Sequence, residues 1–250
     1  MTQPFRNVYD DTERALAYAG LAFPGTYYLA FRDIAALIHQ HVTGTRALDF
    51  GCGTGRSTRF LRDLGLSATG IDISAPMLEE ARRRDPAGSY NLVGVGDLSI
   101  VTDRQFHLVF AAFTFDNIPA DTEKTQSLTA LRQRLAPNGR VIMIVSSPKI
   151  YRNEWASFST RDFPENWQAR DGDRVRTIML DVPDRRPVDD VLCSDQRYRK
   201  LFEASGLNVI AMASPLATGA EPMQWVSETT VAPWSIYVLG AAQLASALKP

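Results

Sequence analysis

The segment Asp49-Phe50-Gly51-Cys52-Gly53-Thr54-Gly55 sets an acid two residues ahead of three alternating glycines. Glycine permits positive φ and lets a ligand approach the backbone closely, and a helix start behind such a turn presents free N–H groups to an anion. A dinucleotide-binding turn reads G-x-G-x-x-G; here Arg56 directly follows a G-x-G-x-G run. The Asp49 carboxylate would repel a pyrophosphate but could hold the ammonium of an amino acid. The plainer alternative is a tight turn with no ligand. Asp72 closes the next β-type run and could accept from both hydroxyls of a ribose, or serve as a strand-end or capping acid. Asp97, in Val95-Gly96-Asp97-Leu98, could accept from an adenine amine, with Ile73 and Leu98 on the two faces of the ring. An ordinary turn aspartate is the alternative there.

Asp116-Asn117 follows another apolar run, where a second substrate would lie. Asp116 is therefore the leading acid, base or orienting group and Asn117 a substrate contact, against the alternative that Asp116 caps the following helix. His39, His41 and His107 precede or begin strands, at the edge of the sheet opposite the expected site, so a histidine base is disfavoured. Aromatics gather in the segments expected to close over the site: Phe23, Tyr27 and Tyr28, then Tyr151, Trp155, Phe158, Phe163 and Trp167. Tyr28 and Trp155 are the candidate substrate contacts of this lid, which would suit a planar or apolar small molecule; much of it could equally be core of the cap. Arg152, Arg161 and Arg170 could pair an acidic acceptor, although a solvated charged face is the more common explanation of such a set. No His, Cys or carboxylate cluster has metal-ligand spacing, so a metal-independent reaction is expected.

The elements that must position these residues follow from periodicity. Short strands are expected at Arg46–Phe50, Ala68–Ile73, Tyr90–Val95, Phe106–Phe113 and Val141–Val145, with a strand at Leu207–Ala213 and a last one at Trp234–Leu239. Helices are expected at Thr12–Tyr18, Tyr28–Gln40, Ser57–Leu64, from Ser74 with Met77, Leu78 and Ala81 as its apolar stripe, at Thr122–Leu135 with a stop at Pro137-Asn138-Gly139, and at Gln196–Ser205. Ser74 is the expected N-cap, with Pro76 in the first turn. Alternation of this kind implies right-handed crossovers and a doubly wound parallel sheet, whose ligand lies beyond the carboxyl ends of the strands. Residues 148–190 break the rhythm, with one strand candidate at Val175–Val182, and read as an insertion covering that edge.

The chain has 250 residues, 27 basic and 28 acidic, for a net charge of −1. That size buries a core without disulfides, and the even charge demotes nucleic acid as a partner. Cys52 and Cys193 are too far apart in sequence for a zinc knuckle. Met1–Asn7 has no apolar run of the signal-peptide kind, and the apolar segment Ile236–Leu248 is interrupted and too short to span a bilayer. A cytoplasmic protein without a membrane segment is expected.

Taken together, Ala47-Leu48-Asp49-Phe50-Gly51-Cys52-Gly53-Thr54-Gly55, Gly70-Ile71-Asp72-Ile73-Ser74, Met77-Leu78-Glu79-Glu80-Ala81-Arg82, the Gly96-Asp97 turn and Leu135-Ala136-Pro137-Asn138-Gly139-Arg140 resemble the class I S-adenosylmethionine-dependent methyltransferases. The small-molecule enzymes similar to those of ubiquinone and menaquinone pathways are the nearest group, and residues 12–145 carry the resemblance best. It implies a Rossmann-like, mostly parallel seven-stranded sheet with an antiparallel last strand, plus a cap from the N-terminal helices and the insertion. It implies one methyltransferase domain over 1–250: N-terminal helices to 44, a cofactor-binding core at 45–147, the cap insertion at 148–190 and the final helix and strands at 191–240. S-adenosylmethionine is the implied cofactor, with S-adenosylhomocysteine as product. Asp49 and the Gly51–Gly55 turn would hold its methionine part, and Asp72 its ribose. Ile73, Gly96, Asp97 and Leu98 would surround the adenine, and the Phe113 backbone would accept from the cofactor's amine. Tyr18 matches a frequent family tyrosine, Met77 falls in the matching motif, and Cys52 occupies a turn position where the family often has cysteine, so no thiol catalysis is implied. The expected reaction moves a methyl group to an O, N or C atom of a small, aromatic or other metabolite, mainly by proximity and orientation, in a monomer or homodimer. The absence of an Asn/Asp-Pro-Pro-aromatic run after the fourth strand argues against a nucleobase acceptor. A non-catalytic cofactor-binding or regulatory protein of the same fold is the alternative.

Overall fold

The computed structural model describes residues 11–102 and 105–242, so the expectations on Met1–Asn7 and on the end of Ile236–Leu248 lie outside the described residues. Seven strands form one sheet: β1 (Arg46–Phe50), β2 (Ser67–Asp72), β3 (Ser89–Leu92), β4 (Phe106–Ala112), β5 (Leu135–Ser146), β9 (Leu207–Ala213) and β10 (Trp234–Ala241). Their spatial order is β3-β2-β1-β4-β5-β10-β9. β1, β2, β3, β4 and β5 pair in parallel, and β10 runs antiparallel to both β5 and β9. Central strands read as unbroken apolar runs because both faces are covered; Val141–Val145 is buried throughout. The order reverses between β1 and β4, so the crevice expected to take a ligand lies beyond Phe50 and Ala112.

Local chemistry sets the helix ends. The Ser74 hydroxyl accepts from the Met77 N–H at the start of α5 (Ala75–Arg84), with Pro76 in its first turn; losing such a cap costs about 1 kcal/mol. α4 (Arg56–Asp63) starts at Gly55, which adopts the left-handed conformation. α1 (Thr12–Ala19) is capped by Asp11. The expected helix 28–40 is two helices, α2 (Gly25–Arg32) and α3 (Ile34–His41), divided at Asp33.

Three boundaries differ from expectation for identifiable reasons. β3 stops at Leu92 rather than Val95, because its partner β2 ends at Asp72. Beyond it Val93–Gly96 turns along the crevice, with Gly94 bridged to Asp97. α6 (Asp121–Arg132) ends before Leu135: the Arg134 guanidinium returns to the Ala130 carbonyl (2.9 Å), and Leu135 pairs with Phe106 in the sheet. Pro137-Asn138-Gly139 is therefore no helix stop but a bulge in β5, where pairing jumps from Phe106–Leu135 to Leu108–Arg140 and Asn138 takes φ 63°.

The insertion holds three strands instead of one: β6 (Phe158–Ser159), β7 (Arg174–Met179) and β8 (Val188–Val191), in antiparallel order β6-β7-β8. It joins the N-terminal helices over the sheet edge. The Thr26 N–H donates to the Ser157 hydroxyl (2.9 Å) and the Ser157 N–H to the Thr26 hydroxyl (3.0 Å). The Arg14 guanidinium reaches the Asp184 carboxylate (3.1 Å) and the Pro187 carbonyl (3.2 Å). α7 (Asp195–Ala204) then leads into β9.

Candidate functional site

Two adjoining cavities open at the carboxyl ends of β1, β2 and β4. The outer one is a cleft of about 340 Å³. Gly51, Gly53, Asp72, Ile73, Met77, Gly96, Phe113, Tyr18 and Asn117, all singled out from the sequence, line it, together with the apolar Ile71, Val93, Val95 and Ile118. The inner one is smaller, about 50 Å³, enough for a few waters or the end of a small ligand, and Tyr18, Phe113 and Asn117 line both. Asp116 lies in the inner cavity.

The glycine turn is shaped for close approach. A Cβ on Gly51 would meet the Thr114 side chain at 2.2 Å, so this position is filled by the neighbouring turn. A Cβ on Gly53 would meet nothing nearer than the Met77 sulfur at 4.0 Å and would project into open space beside the cleft. The Asp72 carboxylate accepts from the Gly53 N–H (2.8 Å) and the Ser74 N–H (2.8 Å), which fixes it at the cleft wall.

Asp49 lies elsewhere than expected. It is fully buried, lines neither cavity, and one of its oxygens accepts from the Ser57 (2.7 Å) and Thr58 (2.6 Å) hydroxyls. Burial raises its pKa to about 6. Its place is beneath the turn, holding the first turn of α4. Cys52 is also buried and burial pushes its thiol pKa up, unlike a nucleophilic cysteine. Gly55 packs against Tyr90, where a Cβ would meet the phenol oxygen at 2.5 Å. Leu98 is buried in the core cluster that includes Leu48 and Val109 and does not line the cleft, and Asp97 is exposed, accepting from the Ser99 N–H (2.8 Å). Val93, Gly94, Val95 and Gly96 wall that side of the cleft.

Tyr18 is placed by Arg56. That guanidinium donates to the Tyr18 hydroxyl (3.1 Å) and the Ala22 carbonyl (2.5 Å) and lies 5.0 Å from the ring centres of Phe23 and Tyr27. Phe113 takes φ 64°, rare for a bulky side chain; its ring stands 4.7 Å from Trp234. Strain of this kind, about 1–3 kcal/mol, collects at functional sites.

Asp116 does not cap α6, whose N-cap is Ala120. Its carboxylate accepts from the Ser146 N–H (2.9 Å) and the Tyr198 hydroxyl (3.3 Å). Asp190, on β8, faces the same cavity and accepts from the Asn117 amide (2.5 Å) and the Tyr151 hydroxyl (3.1 Å). Burial raises Asp116 to about 6; burial and the charge of Asp116 raise Asp190 to about 7. Sequence reasoning missed Asp190. The signal was present in the alternation Val188-x-Asp190-x-Leu192, which puts an acid on the apolar face of a strand. Trp234, from the last strand, was missed as a wall residue too.

Trp155 and Tyr28 line neither cavity. Trp155 is buried in the core with its indole N–H on the Ile150 carbonyl (2.8 Å), so it supports the lid from within. Tyr28 packs against the same core, and Trp167 is exposed. His39 and His41 end α3, and His107 accepts from the Arg46 N–H (3.1 Å), all away from the cavities. Among the described residues no group of three or more His, Cys, Asp or Glu side chains could hold a metal ion, and no helix is long and apolar enough to cross a membrane.

Residues 48–141 match a methyltransferase-domain family. A dTDP-3-amino-3,6-dideoxy-alpha-D-glucopyranose N,N-dimethyltransferase from Streptomyces fradiae is 30% identical over 47% of this chain and 46% of its own length. Over the matched region the chain thus spans about half of that relative. A trans-aconitate 2-methyltransferase from Paracidovorax citrulli is 28% identical over 76% of this chain and 70% of its own length. The CcbJ methyltransferase of Streptomyces caelestis shares the fold, with a TM-score of 0.64 at 18% identity over 91% of this chain and 96% of that one. The methyltransferase resemblance carried by the sequence motifs is borne out by these matches, and the seven-stranded, Rossmann-like fold with it.

Proposed function

We propose that this protein transfers a methyl group from S-adenosylmethionine to an O, N or C atom of a small molecule. The observation that carries this reading is the junction of the two cavities at Tyr18, Phe113 and Asn117, which gives a donor and an acceptor adjoining places at the switch in strand order. The outer cleft fits the donor. It has an acid at the end of β2, apolar walls for a flat ring, a glycine with room beside it, and Asp72 and Glu123 with no Lys or Arg among its lining residues, which suits a sulfonium.

Bound there, S-adenosylmethionine supplies an already activated methyl group. The protein's own residues orient and enclose. Asp72 would take the ribose, the Gly51–Gly53 backbone the methionine part, and Ile73, Met77, Val93, Val95 and Gly96 the adenine. The Phe113 backbone would meet the cofactor's amine, and Tyr18, fastened by Arg56, would close the junction. Asp116 would orient the acceptor and take a proton where one must leave. The cap of N-terminal helices and residues 148–190 excludes water. The same reading takes the chain as one methyltransferase domain over residues 1–250, acting without a metal, in the cytoplasm, as a monomer or homodimer and on neither nucleic acid nor membrane.

Calorimetric titration with S-adenosylhomocysteine, with NADH in parallel and Asp72→Ala as control, tests it. Binding of the thioether alone, weakened by the substitution, is expected. Binding of NADH instead would overturn the reading.

A further inference from the structure

The inner cavity is more selective in charge than methyl transfer alone requires. Two carboxylates from different parts of the chain converge on it, Asp116 after β4 and Asp190 on β8 of the insertion, and both are buried. No Lys or Arg is among its lining residues; Tyr27, Phe113, Phe158 and Trp234 supply aromatic walls. Two cations stand behind the lining and neither is part of it: the Lys124 ammonium of α6, 5.4 Å over the Tyr198 ring, and the Arg56 guanidinium, 5.0 Å over the Tyr27 ring and bonded to the Tyr18 hydroxyl. A carboxylate or phosphate acceptor would enter a negative, low-dielectric space with no partner. A hydroxyl would leave the second acid unused. An ammonium meets two carboxylates and the faces of several rings, the combination that favours a desolvated cation.

We propose that the methyl acceptor is a small amine, seated between Asp116 and Asp190, and that Asp190 is a substrate-binding residue contributed by the insertion. This rests on the methyl-transfer reading. Each carboxylate has more acceptor positions than the donors named above fill, so both can still receive N–H groups. Asp190 faces Asn117, Tyr151, Asp116 and, farther off, Lys124 and Asp189. Like charge and burial keep part of the pair protonated near neutrality, and the arriving cation relieves that repulsion. One N–H proton of the ammonium passes to a carboxylate oxygen of the pair, which frees the nitrogen lone pair. The N–C bond then forms as the donor's C–S bond breaks, its electron pair stays on sulfur as the neutral thioether, and the carboxyl proton leaves to solvent.

The test is calorimetry at saturating S-adenosylhomocysteine with three probes matched in shape: benzylamine, benzyl alcohol and benzoate. Benzylamine is expected to bind at least roughly tenfold more tightly than the other two. Asp190→Asn should remove most of that preference while S-adenosylhomocysteine affinity stays unchanged. Tight thioether binding with benzoate or benzyl alcohol equal or preferred, or with no amine binding, overturns the amine assignment alone. Retention of the amine preference in Asp190→Asn overturns the role of Asp190. Failure of the thioether itself to bind overturns the methyl-transfer reading beneath both. The probe comparison on the unaltered protein decides the acceptor class even if the variant does not fold.

Discussion

At the scale of single residues the proposed reading divides the site into groups that would hold the donor and groups that would meet the acceptor. Asp72 is fixed by the Gly53 and Ser74 N–H groups at the cleft wall, so Asp72→Ala removes both an acceptor for the ligand and a brace of the turn. S-adenosylhomocysteine affinity should fall by roughly 10–100-fold, about 1.4–3 kcal/mol, in calorimetry. Asp116 sits on the acceptor side, and Asp116→Asn should leave that affinity within a factor of two or so while turnover drops by roughly 10²–10⁴. Burial raises its carboxyl to about 6, and as the proposed proton acceptor it would act in its ionised form, so kcat/KM should rise as pH climbs through about 6 to 7 and then level. A flat profile across that window would remove it from proton transfer. The donor half was legible in the sequence because backbone demands impose residue types: the glycine turn and the acid ending β2 recur at fixed spacing from the strands. The acceptor half was not. Asp190 and Trp234 reach the cavity from the insertion and the last strand; the alternation around Asp190 marks an acid on an apolar strand face, but nothing local says that this strand lies over the site. Leu98 and Trp155 carried plausible side chains, but the backbone aims both into the core.

At the scale of elements, the glycine turn between β1 and α4 shows how one motif contains two kinds of position. All three glycines take positive φ, so alanine at any of them costs about 1 kcal/mol in backbone strain alone. At Gly51 the added Cβ also meets the Thr114 side chain at 2.2 Å, and Thr114 is itself anchored to the Phe50 carbonyl (3.0 Å). Gly51→Ala should therefore lower the melting temperature markedly, by roughly 3 kcal/mol in stability. Gly53 has space beside it; Gly53→Ala should fold with a loss near the strain cost, yet bind S-adenosylhomocysteine weakly because the methyl group occupies the ligand's approach. Thermal melts and titrations of the two variants separate these outcomes, and equal stability loss at both sites would refute the distinction. The strands were legible where both faces are buried, as in Val141–Val145, and the helices where caps announce them, as at Ser74. The β5 bulge was not, because Pro137-Asn138-Gly139 follows a helix and has the composition of a stop; only pairing with Phe106 draws Leu135 into the sheet.

At the scale of the whole molecule, the cap over the sheet edge forces two like charges into one small buried space, and the fold bears the cost. The lid segments are joined by Thr26 with Ser157 and by Arg14 with Asp184, which leaves Asp116 and Asp190 little water. Their carboxyls titrate near 6 and 7, above the ordinary aspartate value of 3.8. At these two positions the folded state binds more protons than the unfolded chain between about pH 4 and 7. Their contribution to stability falls as pH rises through that window, and the penalty they impose is fully developed above it. Asp190→Asn removes one charge while its amide oxygen can still accept from Tyr151 or Asn117. At pH 8 the variant should be more stable than the parent, by about 1–3 kcal/mol or a few degrees in melting temperature for a chain of this size. At pH 4 to 5, where the parent's acids are already protonated, the gain should vanish or reverse, since one hydrogen bond is lost for nothing. A variant stabilised at high pH and impaired toward amines would mark the acid pair as maintained for function against stability. A stability difference independent of pH would mean instead that the charge of Lys124 offsets the repulsion between the two carboxylates, and the pair would lose its charge-based claim on the acceptor.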